Sequence, residues 1–282
     1  MEENNMAFNK NEVVLEKVRQ ASFYNLEDGK LELRITSIED PTLGCTAEGE
    51  EVTDAIGSLI TTIYRAKKAT FGGSNSLMSF DLAAAQYGTK KVVAGVTKDE
   101  NDNIIAPTIT NYAYEILEVK VTGEGDSATY TVPTLKNAPI VDSIKYIYSI
   151  ESGEIGTAYK AGSAASETDF VVAVDGTITL PTSVKSGKIY VEYAYETKNA
   201  VRVVNRASQF PTAGRLVILA YFRDKCTDKV YSGAVVCPKA KLNPESVELN
   251  LTSTGKHPFE FTMMRDYCDE LNDELFEIIL SE

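Results

Sequence analysis

The sequence predicts a mostly β protein with one short helix and an inserted β-rich module. Apolar and polar residues alternate in the segment 31–38, LELRITSI, with the two-residue period of a half-buried strand. The pair Asp175-Gly176 stands between two apolar runs, which is typical of a two-residue hairpin turn. Clear helical features are confined to one segment, 75–88, which includes the run Leu82-Ala-Ala-Ala. Together these three observations favour sheets over helices.

The composition describes an acidic protein that is long enough for one large or two small domains. Its 282 residues include 28 Lys and Arg against 41 Asp and Glu, so the net charge is −13. This balance disfavours broad electrostatic binding to nucleic acids or anionic membranes, because both are polyanions. The apolar run 216–222 is far shorter than the roughly 20 residues needed to cross a bilayer. We therefore expect no membrane partner.

Residues that commonly carry catalysis are scarce. His257 is the sole histidine, and the four cysteines are scattered without a C-x-x-C pair. The segment 99–103 opens like a calcium loop, but Ile104 stands where the sharp turn of that loop needs glycine. The sequence therefore predicts a protein that is not an enzyme, with no catalytic residues, no metal site and no cofactor. It leaves the state of the cysteines open.

The connection after the first predicted strand is unusually long. Residues 39–59 contain Pro41, three glycines and six acidic residues, and they precede a second predicted strand at 60–71. We interpret 39–59 as a long loop. Loops longer than about 12–15 residues in compact domains are usually functional or disordered, and both alternatives stay open here.

Helix and module boundaries complete the predicted organisation. The helix 75–88 would be capped by Asn75 or Ser76 and stopped at Gly88. Residues 1–30 are predicted to form an N-terminal arm, and its polar part, residues 1–20, is expected to order on assembly. The predicted β core then consists of 31–105 and 198–282, and it is interrupted by an Ig-like β-rich module at 106–197, rich in alternating strands such as IYVEYAYE.

Four segments, in this order, resemble the tail tube proteins of long-tailed bacteriophages: LELRITSI, KKATFGGSNSLMSFDLAAAQYG, LVILAYFRDKCTDKVYSGAVVCPKAKL and VELNLTSTGKHPFEFTMM. The resemblance implies a β-sandwich or barrel with a short helix packed on it. It also implies homohexameric rings that stack into the tail tube, the conduit for genome ejection. The expected partners are then further copies of the chain, the tape measure and terminator proteins, and double-stranded DNA that passes without specific binding. The sequence leaves open whether a sheath is among them.

The same resemblance implies a virion tail protein that is assembled in the host cytoplasm.

Candidate residues for two surfaces of such a tube can be assigned from the sequence. Acidic residues on the polar faces of alternating strands are candidates for the lumen, where they would repel DNA: Glu32, Glu248 and Glu260. Apolar residues in the predicted loop are candidates for ring-to-ring contact: Leu43, Val52 and Ile56.

Two other classes remain open from the sequence. A β-rich adhesin module would account for the tyrosines between 112 and 195, although tyrosine is also favoured in strands generally. A different virion component, such as a baseplate or capsid decoration protein, would use the central module as its functional part. Assembly state separates these alternatives from a tube protein, because only the latter forms stacked six-fold rings.

Overall fold

The computed structural model describes residues 12–225, 228–244, 247, 249, 252, 255–267 and 273–281. Strands account for 55% and helices for 5% of it, which confirms the predicted mostly-β class with a single short α-helix. The first strands and the helix are β1 Val13–Asn25, β2 Leu31–Ile35, β3 Ile38–Thr53, β4 Leu59–Asn75, α1 Phe80–Gln86, β5 Val92–Val93, β6 Ile109–Glu118, β7 Lys120–Thr122 and β8 Thr129–Thr131. The remaining strands are β9 Tyr146–Glu151, β10 Glu154–Ala161, β11 Asp169–Val172, β12 Ile178–Thr179, β13 Lys188–Thr197, β14 Val201–Arg202, β15 Ala213–Asp224, β16 Val230–Leu242, β17 His257–Met263 and β18 Glu277–Ser281.

The chain divides into two compact units. Unit 1 comprises Met1–Lys91 with Val203–Glu282, and unit 2 is Val92–Arg202. Unit 2 contains a six-stranded sheet and two small two-stranded sheets. The Ig-like character of the predicted module stays a prediction.

Unit 1 is built on one antiparallel sheet of eight strands. Seven of them follow the order β2-β1-β15-β16-β17-β4-β3, and the eighth, β18, pairs with β16. One edge of β16 is shared, because β18 pairs with Ser232–Val236 and β17 with Ala240–Leu242. The sheet curves around a single core, so that Phe23 of β1 meets Phe261 of β17 with their ring centroids 5.4 Å apart.

Strand β1 corrects the prediction of an N-terminal arm across residues 1–30. Its residues 13–25 pair along β15 and lie inside the sheet. The physical reason is the burial of Val18, Ala21 and Phe23, which contribute apolar surface to the core of unit 1. Residues 1–11 lie outside the described part of the chain.

Helix α1 is shorter than the predicted 75–88 and begins later. Asn75 is the last residue of β4, and the Ser76 amide donates to the Ser37 carbonyl, so neither residue caps the helix. The N-cap is Ser79, whose hydroxyl accepts a hydrogen bond from the Leu82 amide. Gly88 follows the helix with a φ of 65°, a left-handed conformation that favours glycine, as the predicted stop requires.

The sole histidine fixes α1 to β17. His257 is 1% exposed, and its Nδ1 accepts from the Ser79 amide at 3.2 Å. Its Nε2 therefore carries the proton and donates to Gln86 Oε1 at 2.7 Å, while Gln86 Nε2 donates to the Pro258 carbonyl. This neutral imidazole connects both ends of the helix to one strand, so we assign His257 a structural role.

Acidification should weaken unit 1 through His257. Burial lowers the pKa of this imidazole below its ordinary 6.5, so the folded state keeps it neutral while the unfolded state takes up a proton. Stability is thus fully present above pH 6.5 and falls as the pH drops from there through the lowered folded pKa, by at most about 1.4 kcal/mol per pH unit. Urea unfolding between pH 8 and 5 checks this: His257→Gln should lose the wild type's extra pH dependence, and equal slopes would contradict it.

Unit 2 has its own sheet and core. The sheet order is β12-β11-β10-β9-β13-β6, and its pairs are antiparallel except β10 with β11. One face of the sheet packs on a core that includes the fully buried Ile147, Phe170, Ile189 and Val191. Because successive strand residues point to opposite faces, the residues between them lie on the other face.

Candidate assembly surfaces

Residues 39–59, predicted as a long loop, form most of a β-hairpin instead. Strands β3 and β4 pair over almost their whole lengths, from Ile38 with Asn75 to Thr53 with Leu59. Residues 39–53 contain glycines and acidic residues, which disfavour a strand, so the prediction from local sequence was wrong. Strand β4 is rich in β-branched residues and supplies the pairing partner that holds this segment extended. A bulge between Glu39 and Thr42 accommodates Asp40, which has a φ of 50°, and Pro41.

The far half of this hairpin extends beyond the sheet of unit 1. Strand β17 pairs with β4 only over Ala69–Asn75, so Leu59–Lys68 pairs with β3 alone among the described residues. We call residues 46–68 the extended hairpin; its ten-residue β4 portion is about 30 Å long. Within the described residues, neither outer strand edge of the extended hairpin is paired with another strand, and open edges are sites where further strands can add.

The tip and shaft of the extended hairpin are well defined. At the tip, Asp54 Oδ1 accepts hydrogen bonds from the amides of Ile56 and Ser58, and Gly57 takes a φ of 86°. In the shaft, the Tyr64 ring lies over Gly49, a contact that compensates a glycine for its missing side chain. The side chains of this hairpin are therefore presented on an ordered frame.

Apolar side chains are exposed on both faces of the extended hairpin. Ile56 at the tip is 87% exposed. Strand alternation places Ile63 and Tyr64 on opposite faces, and both are exposed, as is Ile60 in the bulge between Leu59 and Thr61. Exposed apolar residues on a projecting element are typical of surfaces that bind a partner.

The two strands of the extended hairpin carry opposite charge. Strand β3 contributes Glu48, Glu50 and Glu51, whereas β4 contributes Arg65, Lys67 and Lys68. An ion pair joins Arg65 to Glu50 at 3.0 Å, and within the described residues the other four have no ion-pair partner. One edge is thus acidic and the other basic, which makes the surface complementary to a second copy of itself.

The predicted contact residues do not form one cluster. Ile56 is at the tip, and Val52 is half-buried in the shaft opposite Thr61. Leu43 lies nearer the sheet, paired with Phe71. The sequence interpretation did not identify Ile60, Ile63 and Tyr64 as contact residues. The signal for them was the run LITTIY, in which apolar residues neither alternate, as in a strand buried on one face, nor follow one another without a break, as in a strand buried on both faces.

The predicted lumen residues lie in different parts of unit 1. Glu32 is exposed on β2, where Asn25 Nδ2 donates to it at 2.8 Å. Glu260 is exposed on β17, where Asn243 Nδ2 donates to it at 2.9 Å, and its strand neighbours Phe259 and Phe261 point into the core. Glu248 lies outside the described residues. No lysine or arginine pairs with Glu32 or Glu260 in the described part of the chain.

The outer face of the large sheet carries both signs of charge. Arg34, Arg215 and Lys241 alternate with buried residues of β2, β15 and β16, so they point away from the core as Glu260 does. Sequence reasoning missed these basic neighbours because it considered the acidic positions alone. An acidic lumen is therefore a property to be tested in the assembly.

The described residues also bear on metal binding, membrane spanning and the state of the cysteines. Among the described residues, no group of three or more His, Cys, Asp or Glu side chains is placed to hold a metal ion. None of the helices in the described ranges is long and apolar enough to span a membrane. Cys237 is a buried free thiol whose pKa is raised to about 11 by burial, and Cys45 is exposed on β3.

Comparison with known proteins decides the family. The model of the YomU/Tube protein family matches residues 13–275. The chain belongs to that family. This is a phage tail tube family, so the suspected resemblance is confirmed, and the protein is a structural component of the virion tail. A search of curated proteins found no match.

Membership in the YomU/Tube family indicates which kind of partner the extended hairpin would contact. A tail tube is built from many copies of its subunit together with other tail proteins. The extended hairpin has the properties expected of a contact between such copies: exposed apolar residues, open strand edges and complementary charge.

Proposed function

We propose that this chain assembles into homohexameric rings that stack into the tail tube and form the conduit for genome ejection. The observation that carries the proposal is the extended hairpin, which projects about 30 Å with apolar residues on both faces. A surface of this kind is costly to leave in water, and a neighbouring copy in a stacked ring would cover it.

The extended hairpin supplies the ring-to-ring contact in this proposal. Ile56 and Val52 contribute to it with Ile60, Ile63 and Tyr64, whereas Leu43 lies at its base. The acidic edge of one hairpin faces the basic edge of another, so a closed ring repeats the same heterologous contact around its axis. High salt should weaken the contact, since exposed charges are screened.

Assembly state tests this function directly. Purified protein is concentrated, imaged by negative stain and weighed by native mass spectrometry. We expect six-fold rings and short stacks of rings. A protein that stays monomeric, or forms only trimers, under all concentrations tested would contradict a tube subunit and support the adhesin alternative. Rings that never stack would support a baseplate or decoration role.

The lumen is the second element of the proposal. We assign Glu32, Glu260 and, from the sequence alone, Glu248 to the inner wall, where their carboxylates repel the passing phosphates. The protein carries a net charge of −13, which favours passage of DNA without adhesion.

Reversing one lumen charge should make tubes retain DNA. In Glu260→Lys tubes, each subunit exchanges a repelling carboxylate for a phosphate-binding ammonium, so short duplex DNA should co-sediment at low salt and be released at high salt. Glu154→Lys is the matched control, because Glu154 is also exposed but belongs to unit 2. Equal DNA retention by both variants would count against a lumen position for Glu260.

A further inference from the structure

The extended hairpin leaves the sheet of unit 1 through a β-bulge. Strand β17 stops pairing with β4 at Ala69, and the regular ladder between β3 and β4 is interrupted close to this point. Ala47 of β3 lies opposite two residues of β4, Ala66 and Lys67. We call these three residues the elbow. A two-against-one arrangement bends the strand that carries the extra residue, so the hairpin changes direction where it leaves the sheet.

The backbone of the elbow has the conformation that such a bulge requires. Ala66 has a φ of 48°, which lies in the left-handed region where glycine is the usual residue, because a Cβ is crowded there. The side chain of Ala66 is exposed, so packing against a core does not hold it in place. The paired residues on both sides of the bulge impose this conformation instead. Alanine has less backbone freedom than glycine, which makes the bend a fixed one.

Without the elbow, the hairpin would lie beside β18 of its own chain. Strands β17 and β18 pair with the same edge of β16, over Ala240–Leu242 and Ser232–Val236, so β18 continues the line of β17 along that edge. Strand β4 lies on the other side of β17. A straight continuation of β4 would therefore follow the outer edge of β18.

Direction and register would allow these two strands to pair. Both β17 and β18 are antiparallel to β16, so β4 would meet β18 as an antiparallel neighbour, as it meets β17. Val236, which pairs with the first residue of β18, lies four residues along β16 from Ala240, and Ala240 is level with Ala69 of β4. The same four steps along β4 bring the segment 61–65 level with β18.

The two strands nevertheless stay apart. Within the described residues, β18 pairs with β16 alone, and Leu59–Lys68 pairs with β3 alone. The apolar side chains that pairing would bring together are all exposed: Ile63, Tyr64, Ile278 and Ile279. Charge does not separate them, because the hairpin strand is basic and β18 carries Glu277. The bend at the elbow accounts for the separation.

We propose that the elbow directs the extended hairpin away from β18 of its own chain and thereby keeps both edges of the hairpin available to other copies. The inference rests on the proposed stacking of rings, and it adds a device that prevents the hairpin from folding back before assembly. Removal of the bulge would turn the contact surface into a further strand of the chain's own sheet.

Deletion of Ala66 tests the proposal. It leaves one residue of β4 opposite Ala47 and restores a regular ladder, while the tip keeps its sequence and pairing. We expect β4 to pair with β18, so hydrogen exchange in 277–281, measured by mass spectrometry on dissociated full-length protein, should slow by about tenfold or more. The same variant should form no tubes in the electron microscope, since its hairpin is no longer available to another copy.

Two further variants separate the bulge from other effects of the deletion. Ala66→Gly keeps the bulge, so exchange in 277–281 and the concentration needed for tubes should stay within about twofold of the wild type. A glycine inserted between Ala47 and Glu48 removes the bulge by lengthening the other strand, and it should reproduce the deletion. The insertion supplies the result if circular dichroism shows that the deletion variant is unfolded.

The proposal is overturned if exchange in 277–281 is unchanged in both variants without the bulge, or if either of them forms tubes as the wild type does. It is also overturned if Ala66→Gly behaves like the deletion, because the bend would then not depend on the bulge. The exchange measurement uses dissociated subunits. Slowed exchange in the deletion variant, together with a wild type that forms no tubes, would support the elbow and contradict the proposed tube function.

Discussion

Replacement of residues 47–67 by an Asn-Gly turn abolishes tube formation and leaves a folded, monomeric protein. Thr46 and Lys68 are directly paired, so a two-residue turn can close the shortened hairpin at that point. The contacts of β4 with β17 over Ala69–Asn75 are retained, and with them the buried Ala69 and Phe71. The deletion therefore removes exposed surface and leaves the core of unit 1 intact.

The effect on assembly should be large because the replaced segment carries the exposed apolar residues and both charged edges. The measurement is electron microscopy of concentrated protein, with thermal unfolding as the check on folding. Two single substitutions test whether the exposed apolar residues of the hairpin cause this effect. Ile60→Ser removes an isoleucine of the extended hairpin that is 64% exposed, and Ile155→Ser is the matched control, because Ile155 is 63% exposed but belongs to unit 2. Only Ile60→Ser should raise the concentration needed for tubes. Normal tubes from the shortened hairpin would refute its role.

Phe261→Ala should destabilise unit 1 by about 3–5 kcal/mol. Phe261 is fully buried, and its ring lies within 6.0 Å of both Phe23 and Phe259, measured between centroids, so truncation leaves a cavity where three rings meet. Urea unfolding gives the free energy, and hydrogen exchange by mass spectrometry shows which segments open. Loss of protection should be confined to strands of unit 1 at intermediate urea concentrations.

Two further variants serve as a comparison and a control for Phe261→Ala. Phe170→Ala removes a fully buried ring from the core of unit 2, so it should cost a similar amount and expose the strands of that unit instead. Phe210→Ala removes a ring that is 64% exposed and should change stability by less than about 0.5 kcal/mol. If Phe261→Ala and Phe170→Ala opened the same segments, the two cores would not be separate.

Much of the fold could be predicted where one local signal decided it. The alternation in LELRITSI predicts β2, since the buried Leu33 and Ile35 face the core while their neighbours face water. Asp175-Gly176 predicts the turn before β12, where Gly176 takes a φ of 85°. In these places local preference and tertiary packing agree.

Prediction failed where a distant partner overrides local preference. Residues 39–53 contain turn-forming residues and acidic side chains, yet β4 supplies a ladder of hydrogen bonds that holds them extended. Asn75 and Ser76 are good caps by residue type, but pairing with His257 and Ser37 commits them to the sheet, and the helix begins at the next suitable cap, Ser79. Ring-to-ring and lumen residues depend on neighbouring copies, which a single chain's pattern does not specify.

Cryo-electron microscopy of the assembled polymer shows directly whether the extended hairpin joins stacked rings. We expect stacked six-fold rings around an open channel, with the extended hairpin, residues 46–68, buried against a copy in an adjacent ring and Ile56 removed from solvent. A polymer with another symmetry, or one in which the extended hairpin points freely into solvent, would contradict it.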